Sequence, residues 1–452
     1  MRVSSVRGGR LGAAAVLVLT AGSLAVAAGP AGAAPSAPLT VADCDPAGHI
    51  MLNPTTVVSG GSVNVSWHVV NIAGCNPAII SERISGPGFN GDEAVTTSGS
   101  RTVTLSQPGP STATWTLSVA TRFGETALDE QSATVEPAFT VNGLAGAAIA
   151  FPDASGTETK MQIHSEARST GAPVKSGTRV ALFNVGGDYE AAYQGANGDL
   201  WLVAPDGNAT DTGLGMAAGT SPSITATGAS SFTVAFQANT GALWTYSSAT
   251  GGRSVGFGMA QGTSPSVTLT SAGIAIAYVD PNGNLAVIDP VTGFGGYGTP
   301  HAPVAQGTSP AITYIPNQKD AYEIVYQAPN HSVRTADYAH AQTFPTPLTA
   351  AADTSPAITT LPSGEIDIAV NGSDGTVQTL TSAGTATTIG FAFPAGTSPA
   401  IAPAAGGGAV VAWEDVDNTI NTFVTGVGVT RTGVSMFPGN SPAIAQITSL
   451  TR

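Results

Sequence analysis

A six-residue token, Gly-Thr-Ser-Pro followed by a small residue and then a β-branched one, returns at near-equal intervals through the C-terminal two-thirds of this chain. It stands as GTSPSI from Gly219, GTSPSV from Gly262, GTSPAI from Gly307, DTSPAI from Asp353, GTSPAI from Gly396 and GNSPAI from Gly439, and a decayed copy, GTRVAL, begins at Gly177. Successive starts lie 42 to 46 residues apart, the length of a unit of four short strands. Such a unit is too small to bury its apolar faces alone and must stack on its neighbours.

A second column supports the count. About fifteen residues after each token comes a small residue followed by a larger apolar one: Ala192-Tyr193, Ala235-Phe236, Ala277-Tyr278, Val325-Tyr326, Ala369-Val370 and Ala412-Trp413. The seventh member, Ala150-Phe151, precedes the first token. The repeat region therefore begins with a body lacking its leading strand and ends, from Gly439 to Arg452, with a leading strand lacking a body. Pairing of the two ends would leave no free sheet edge. The expectation is an all-β chain with a seven-bladed β-propeller over residues 139–452, closed by its N- and C-terminal strands. A linear solenoid is the rival geometry, but it calls for polar caps rather than complementary half-repeats.

Within a repeat, Ser-Pro sets an extended entry to the first strand, because Pro fixes its own φ and biases the preceding residue away from helix. Hairpin turns follow the apolar column at Ala196-Asn197-Gly198, Asn239-Thr240-Gly241, Pro281-Asn282-Gly283 and Ser373-Asp374-Gly375. The 56 Gly and 31 Pro residues are hostile to long helices. The apolar content of 42%, arranged in alternation, separates the chain from disordered sequences of equally low charge.

Ahead of the repeats, residues 43–137 carry short alternating runs such as Ser62-Val63-Asn64-Val65-Ser66-Trp67 and Ala113-Thr114-Trp115-Thr116-Leu117-Ser118-Val119. They suit a β-sandwich and resemble the Ig-like modules common in secreted bacterial proteins. Pro137-Ala138 forms the expected hinge. Residues 1–33 read as a secretory signal peptide, with Arg2, Arg7 and Arg10, an apolar run from Leu11 to Ala28 and a small-residue exit at Ala31-Gly32-Ala33. A membrane-spanning helix is the alternative for that run, though no second apolar segment follows it. Residues 34–42 form a linker, and the expected location is extracellular.

In an oxidising compartment Cys44 and Cys75 are expected to form a disulfide, worth about 2–4 kcal/mol as a staple. Cys44 lies ahead of the first clear strand, so the bond is not the inter-sheet disulfide of antibody domains. The net charge of −14 becomes −17 without the leader, which holds three of the fifteen basic residues and none of the twenty-nine acids. Nucleic acid and anionic membrane surfaces are poor partners for such a chain, and no membrane insertion is expected.

Two repeats carry a fuller signature, Tyr193-Gln194-x-x-Asn197-Gly198-x-Leu200-Trp201 and Phe236-Gln237-x-Asn239-x-Gly241-x-Leu243-Trp244, each followed by Gly-Met at Gly215-Met216 and Gly258-Met259. These lines resemble the repeats of tachylectin-type and related bacterial propeller lectins. The resemblance covers the repeat region alone and implies sugar binding at equivalent sites between blades, with glycans or cell-surface carbohydrate as partner. An indole face takes the C–H side of a pyranose, and fixed amides take its oxygens. Trp201 and Trp244, beside Tyr193 and Phe236, are the stacking candidates. Gln194, Gln237 and Gln327, with Asn197, Asn239 and Asn330, are the polar ones. The alternative makes the Trp residues packing aromatics and the Asn residues turn formers. At the Trp position later repeats show Ala286 or Val287, Arg334, Gln378 and Asn421, so a protein-interaction or envelope scaffold is the competing function.

No enzyme is expected. The acids Glu190, Asp199, Glu323, Asp367, Glu414, Asp415 and Asp417 recur in no column, whereas glycosidases need paired carboxylates. The six His residues form no HExxH pattern and there is no G-x-S-x-G elbow. No cofactor and no metal site is expected. Calcium loops at Asp280-Pro281-Asn282-Gly283-Asn284 and Asp415-Val416-Asp417-Asn418 are the weaker alternative, and turn chemistry accounts for both.

Overall fold

The computed structural model describes residues 46–446, apart from 71–78, 108, 164–165, 171, 186–187, 206, 292, 295–301, 317, 319–320 and 338–342. The leader, Cys44 and Cys75 lie outside the described residues. All regular structure among the described residues is strand.

Residues 46–136 form two sheets. Three strands, Ala47–Asn53, Ser62–Val70 and Ser98–Thr104, pair antiparallel with Ser62–Val70 in the middle. Five more make the second sheet, in which Thr56–Val58 runs parallel to Gly124–Glu136, followed in order by Ser111–Thr121, Ile79–Ser85 and Glu93–Val95. The period-two pattern of the sequence is the cause: Val63, Val65, Trp67 and Val69 alternate inward and meet Leu117, Val119 and Val135 in one core. The buried indoles are satisfied, Trp67 Nε1–H donating to the Thr96 carbonyl and Trp115 Nε1–H to that of Pro87, each at 2.9 Å.

From residue 147 onward the described residues contain seven four-stranded antiparallel sheets. The first joins Ala147–Pro152, Thr159–Ile163 and Glu166–Ser169 to the chain's last described strand, Ala443–Gln446. Ala443 faces Ala150 and Gln446 faces Ala147 in that pairing. The other six are meanders that begin at Ala181–Val185, Ser223–Gly228, Ser266–Thr270, Ala311–Tyr314, Ala357–Thr360 and Ala400–Pro403. Each of these leading strands packs beside the next, and Ala443–Gln446 lies between Ala400–Pro403 and Ala181–Val185. Every neighbouring pair of sheets has its own apolar cluster; Ile149, Phe151, Val410 and Ala412 join the seventh to the first. In the second strands Ala192, Ala235, Ala277, Ala369 and Ala412 are fully buried, as are Tyr193, Phe236, Tyr278, Tyr326 and Trp413 beside them. Small residues let sheets approach and the large ones fill the diverging space, each worth roughly 2–3 kcal/mol of burial.

The token explains how the leading strands are held together. Its Gly takes a left-handed φ, 74° at Gly219 and 76° at Gly262, which turns the chain into the strand. Its Thr hydroxyl donates to the carbonyl three residues earlier, Thr220 to Ala217 and Thr263 to Ala260, at 2.8 Å. Its Ser works between sheets. The Ser221 N–H donates to the Ser264 hydroxyl, Ser264 to Ser309, Ser309 to Ser355, Ser355 to Ser398 and Ser398 to Ser441, at 2.8–3.0 Å. In the decayed copy Arg179 N–H joins the series at Ser221, but Arg179 has no hydroxyl to offer Ser441. At that seam Asn440 stands in place of Thr and reaches across, its Oδ1 accepting the Gly177 N–H at 3.1 Å while its Nδ2–H donates to the Thr178 carbonyl.

Candidate functional site

Strand pairing puts the signature residues in one structural column. Tyr193 pairs with Trp201 and Phe236 with Trp244, and the same position holds Ala286 opposite Tyr278, Arg334 opposite Tyr326, Gln378 opposite Val370 and Asn421 opposite Trp413. The choice between Ala286 and Val287 falls on Ala286.

The three glutamines are inside the protein. Gln194, Gln237 and Gln327 are at most 1% exposed. Each donates from Nε2 to the loop that leads into the next sheet: Gln194 to the Met216 and Ala217 carbonyls, Gln237 to that of Ala260, and Gln327 to those of Ala350 and Ala351, at 3.0–3.3 Å. Asn371 does the same for Thr397 at 2.8 Å. The three glutamines hold loops through their Nε2 groups, and their Oε1 atoms are buried. The sequence signal was a recurring Gln, and recurrence alone does not distinguish an internal tether from an exposed one.

Trp201 and Trp244 are half-buried, between the open and the closed arrangement. Trp201 stacks on Tyr193, with centroids 6.4 Å apart and planes 17° from parallel, and its Nε1–H donates to Asn197 Oδ1 at 3.0 Å. Gly195 makes room for it, since a Cβ there would lie 2.4 Å from the indole. Trp244 lies over Phe236 at 6.4 Å with a 45° tilt. Both indoles pack toward the preceding sheet. Burial raises the Tyr193 phenol above its ordinary range.

The three asparagines are exposed. Asn197 Nδ2–H donates to the carboxylates of Asp199 and Asp211 at 3.1 and 2.8 Å. Asn330 Oδ1 accepts the Ser332 N–H and hydroxyl, a turn closure. The Asn239 side chain lies against Gly215, where a Cβ would meet it at 2.3 Å. In the two acidic loops Asp280 Oδ1 accepts the N–H groups of Asn282 and Asn284, and Asp415 Oδ1 those of Asp417 and Thr419. The aspartates there cap turns.

A cleft of about 540 Å³ opens between the third and fourth sheets. One wall presents the hydroxyls of Thr233, Thr245 and Ser247 with Arg253 and Ser254; the other is apolar, from Ile274, Ile276 and Ile288. Alternation along Ala242–Ser247 causes this: Trp244 and Tyr246 go to the preceding sheet, so Thr245 and Ser247 face the following one. Among the described residues no carboxylate lines the cleft. Arg253 is exposed, on the outer strand Gly251–Gly258. The aromatic signature of the sequence does not include this wall. The available signal was the Thr/Ser alternation opposite the Trp.

No family model and no curated protein matches this chain. Among solved structures it is similar to the SapL1 lectin in complex with alpha methyl fucoside, at 13% identity over 59% of this chain and 98% of the other, with a TM-score of 0.45. It is similar at 13% identity to the fucose-specific lectin from Aleuria aurantia, over 61% and 97%, with a TM-score of 0.40. BBS1N in complex with ARL6DN matches at 10% identity over 62% and 91%, with a TM-score of 0.32.

Proposed function

We propose that this chain is a secreted, non-catalytic carbohydrate-binding protein: a seven-bladed propeller closed by its terminal strands, preceded by an Ig-like sandwich, that takes glycans between blades. The cleft between the third and fourth sheets carries this reading. Hydroxyl groups both donate and accept, which matches the mixed character of sugar hydroxyls. The isoleucine wall offers an apolar surface to the C–H face of a pyranose, and the Arg253 fork supplies several donors to ring or carboxylate oxygens. Binding thus shifts from the Trp faces to the hydroxyl-bearing face of the same strand.

A glycan array tests it on the mature protein, Arg253→Ala, Thr245→Val and the pair Trp201→Ala and Trp244→Ala. Binding that falls at least ten-fold with Arg253→Ala supports the cleft. Loss only with the Trp variants moves the site to the stacked faces, and no binding above background removes the carbohydrate function. The protein-interaction or envelope scaffold is favoured by the loss of the Trp in five of seven repeats. In that case affinity capture recovers a defined protein partner that free sugar does not displace.

A further inference from the structure

The leading strands surround a central channel of about 210 Å³, with lining residues drawn from all seven sheets. Its walls are Ser, Pro, Ala, Ile, Leu and Val, together with one charged residue, Arg179. Among the described residues no carboxylate lines it. Arg179 occupies the token position that is Ser in the other six copies, so the charge appears once around the ring. Its backbone is engaged on both sides, the N–H by the Ser221 hydroxyl and the strand by a bridge to Ser441. The guanidinium itself makes no hydrogen bond or ion pair among the described residues. The residue keeps some solvent exposure because the channel is open, while burial within the ring lowers the guanidinium's pKa.

A guanidinium cannot shed its charge at any ordinary pH, so a desolvated one without a carboxylate recruits a counter-ion. The surrounding hydroxyls point the same way. Ser221, Ser264, Ser309 and Ser355 each accept one backbone N–H, which uses one lone pair of the oxygen and leaves the hydroxyl hydrogen available to donate. Hydroxyl donors around one fixed positive charge make an anion cradle. We propose that the central channel is a binding site for one small inorganic anion, held by the Arg179 guanidinium with the hydroxyl of Ser221 beside it. The anion supplies an acceptor where the serine series is interrupted, next to the seam between Ala443–Gln446 and Ala181–Val185.

The site is separate from the proposed glycan cleft and stands or falls independently of it. Crystals of the mature protein soaked in sodium bromide test it directly by anomalous diffraction. The expected result is one strong peak in the channel within hydrogen-bonding distance of the guanidinium; a channel without a peak overturns the proposal. In solution, calorimetric titration with sodium phosphate should show one site in wild type and in Arg253→Ala, and at least a ten-fold weaker one in Arg179→Ser. That variant installs the residue of the other six repeats, and circular dichroism checks that it folds. Equal phosphate binding by wild type and Arg179→Ser refutes the assignment.

Discussion

Replacing Glu414 by Gln isolates one buried carboxyl at a position where three other repeats already carry glutamine. Glu414 ends a second strand and is fully buried; its two carboxyl oxygens accept the Gly439 N–H at 3.1 and 3.2 Å. Met436, Phe437 and Gly439 stand to it as Met216, Ala217 and Gly219 stand to Gln194. Burial, opposed by the Gly439 hydrogen bond and helped by Asp415, pushes its pKa from 4.5 up to about 7. In the unfolded chain the group titrates near 4.5. Between these values the folded protein holds a proton that the unfolded chain has released, so folded stability falls as pH rises from 4.5 to 7 and is level outside that window. The full shift corresponds to about 3 kcal/mol, and about 2 kcal/mol after allowance for relaxation around the buried charge. Gln is neutral throughout, can keep the Gly439 bond and can donate to the Met436 and Phe437 carbonyls. Urea denaturation of wild type and Glu414→Gln at pH 4, 5, 6, 7 and 8 gives the difference curve, in which every other titrating group cancels. The variant should match wild type within about 0.5 kcal/mol at pH 4 and exceed it by about 2 kcal/mol at pH 8. A difference independent of pH, or a variant that loses ground at pH 8, refutes the reasoning.

Three further outcomes follow from the token loops. Ser264→Ala removes the acceptor of the Ser221 N–H and should cost about 1–3 kcal/mol in chemical denaturation. Asp353 holds a φ of 59° where the other tokens have Gly; Asp353→Gly relieves about 1 kcal/mol of backbone strain, partly offset by unfolded-chain entropy, and should raise stability by about 0.5 kcal/mol in the same assay. Asn440→Thr restores the local Thr latch but removes the clasp to Gly177 and Thr178. The expected loss is about 1–2 kcal/mol, with faster hydrogen exchange confined to Gly177 and Ala443–Gln446.

The repeat was legible because its causes are local. Left-handed Gly, latch-forming Thr, donor Ser and Pro act within six residues, and each leading strand of the last six tokens begins four residues after the token's first residue, as at Ser223, Ser266 and Ala443. The apolar column was legible for the same reason, since its period of two shows directly which side chains enter the interior. Site chemistry was harder. A Gln at the end of a strand looks alike whether it meets solvent or a carbonyl of the following loop, and the residues that decide this, Ala217 and Ala260, lie 23 positions further on. Trp244 and Thr245 are adjacent in sequence but occupy opposite faces between different pairs of sheets. Indoles draw the eye to one face, and the hydroxyl wall lies on the other.

The positions that repeat and the positions that vary are separated in space, which bears on how many sites such a repeat array can offer. Gly, Thr, Ser and Pro recur because they build the loops that link each leading strand to the next, a task identical in every repeat. The outer positions are Trp201, Trp244, Ala286, Arg334, Gln378 and Asn421 in turn, and each has found its own local support. Arg334 donates to Thr343, Gln378 to Asp374 and Asn421 to Asp415. An indole facing solvent would be free for a ligand, but these amides and this guanidinium are already engaged. The spaces between sheets therefore differ in chemistry although the scaffold repeats, and seven equivalent sites do not follow from seven equivalent loops. Arg253 and the hydroxyl wall beside it belong to one cleft, so glycan binding at that cleft should be monovalent. Calorimetry with a bound oligosaccharide should return a stoichiometry of one; a stoichiometry near seven would place the sites on the shared scaffold instead.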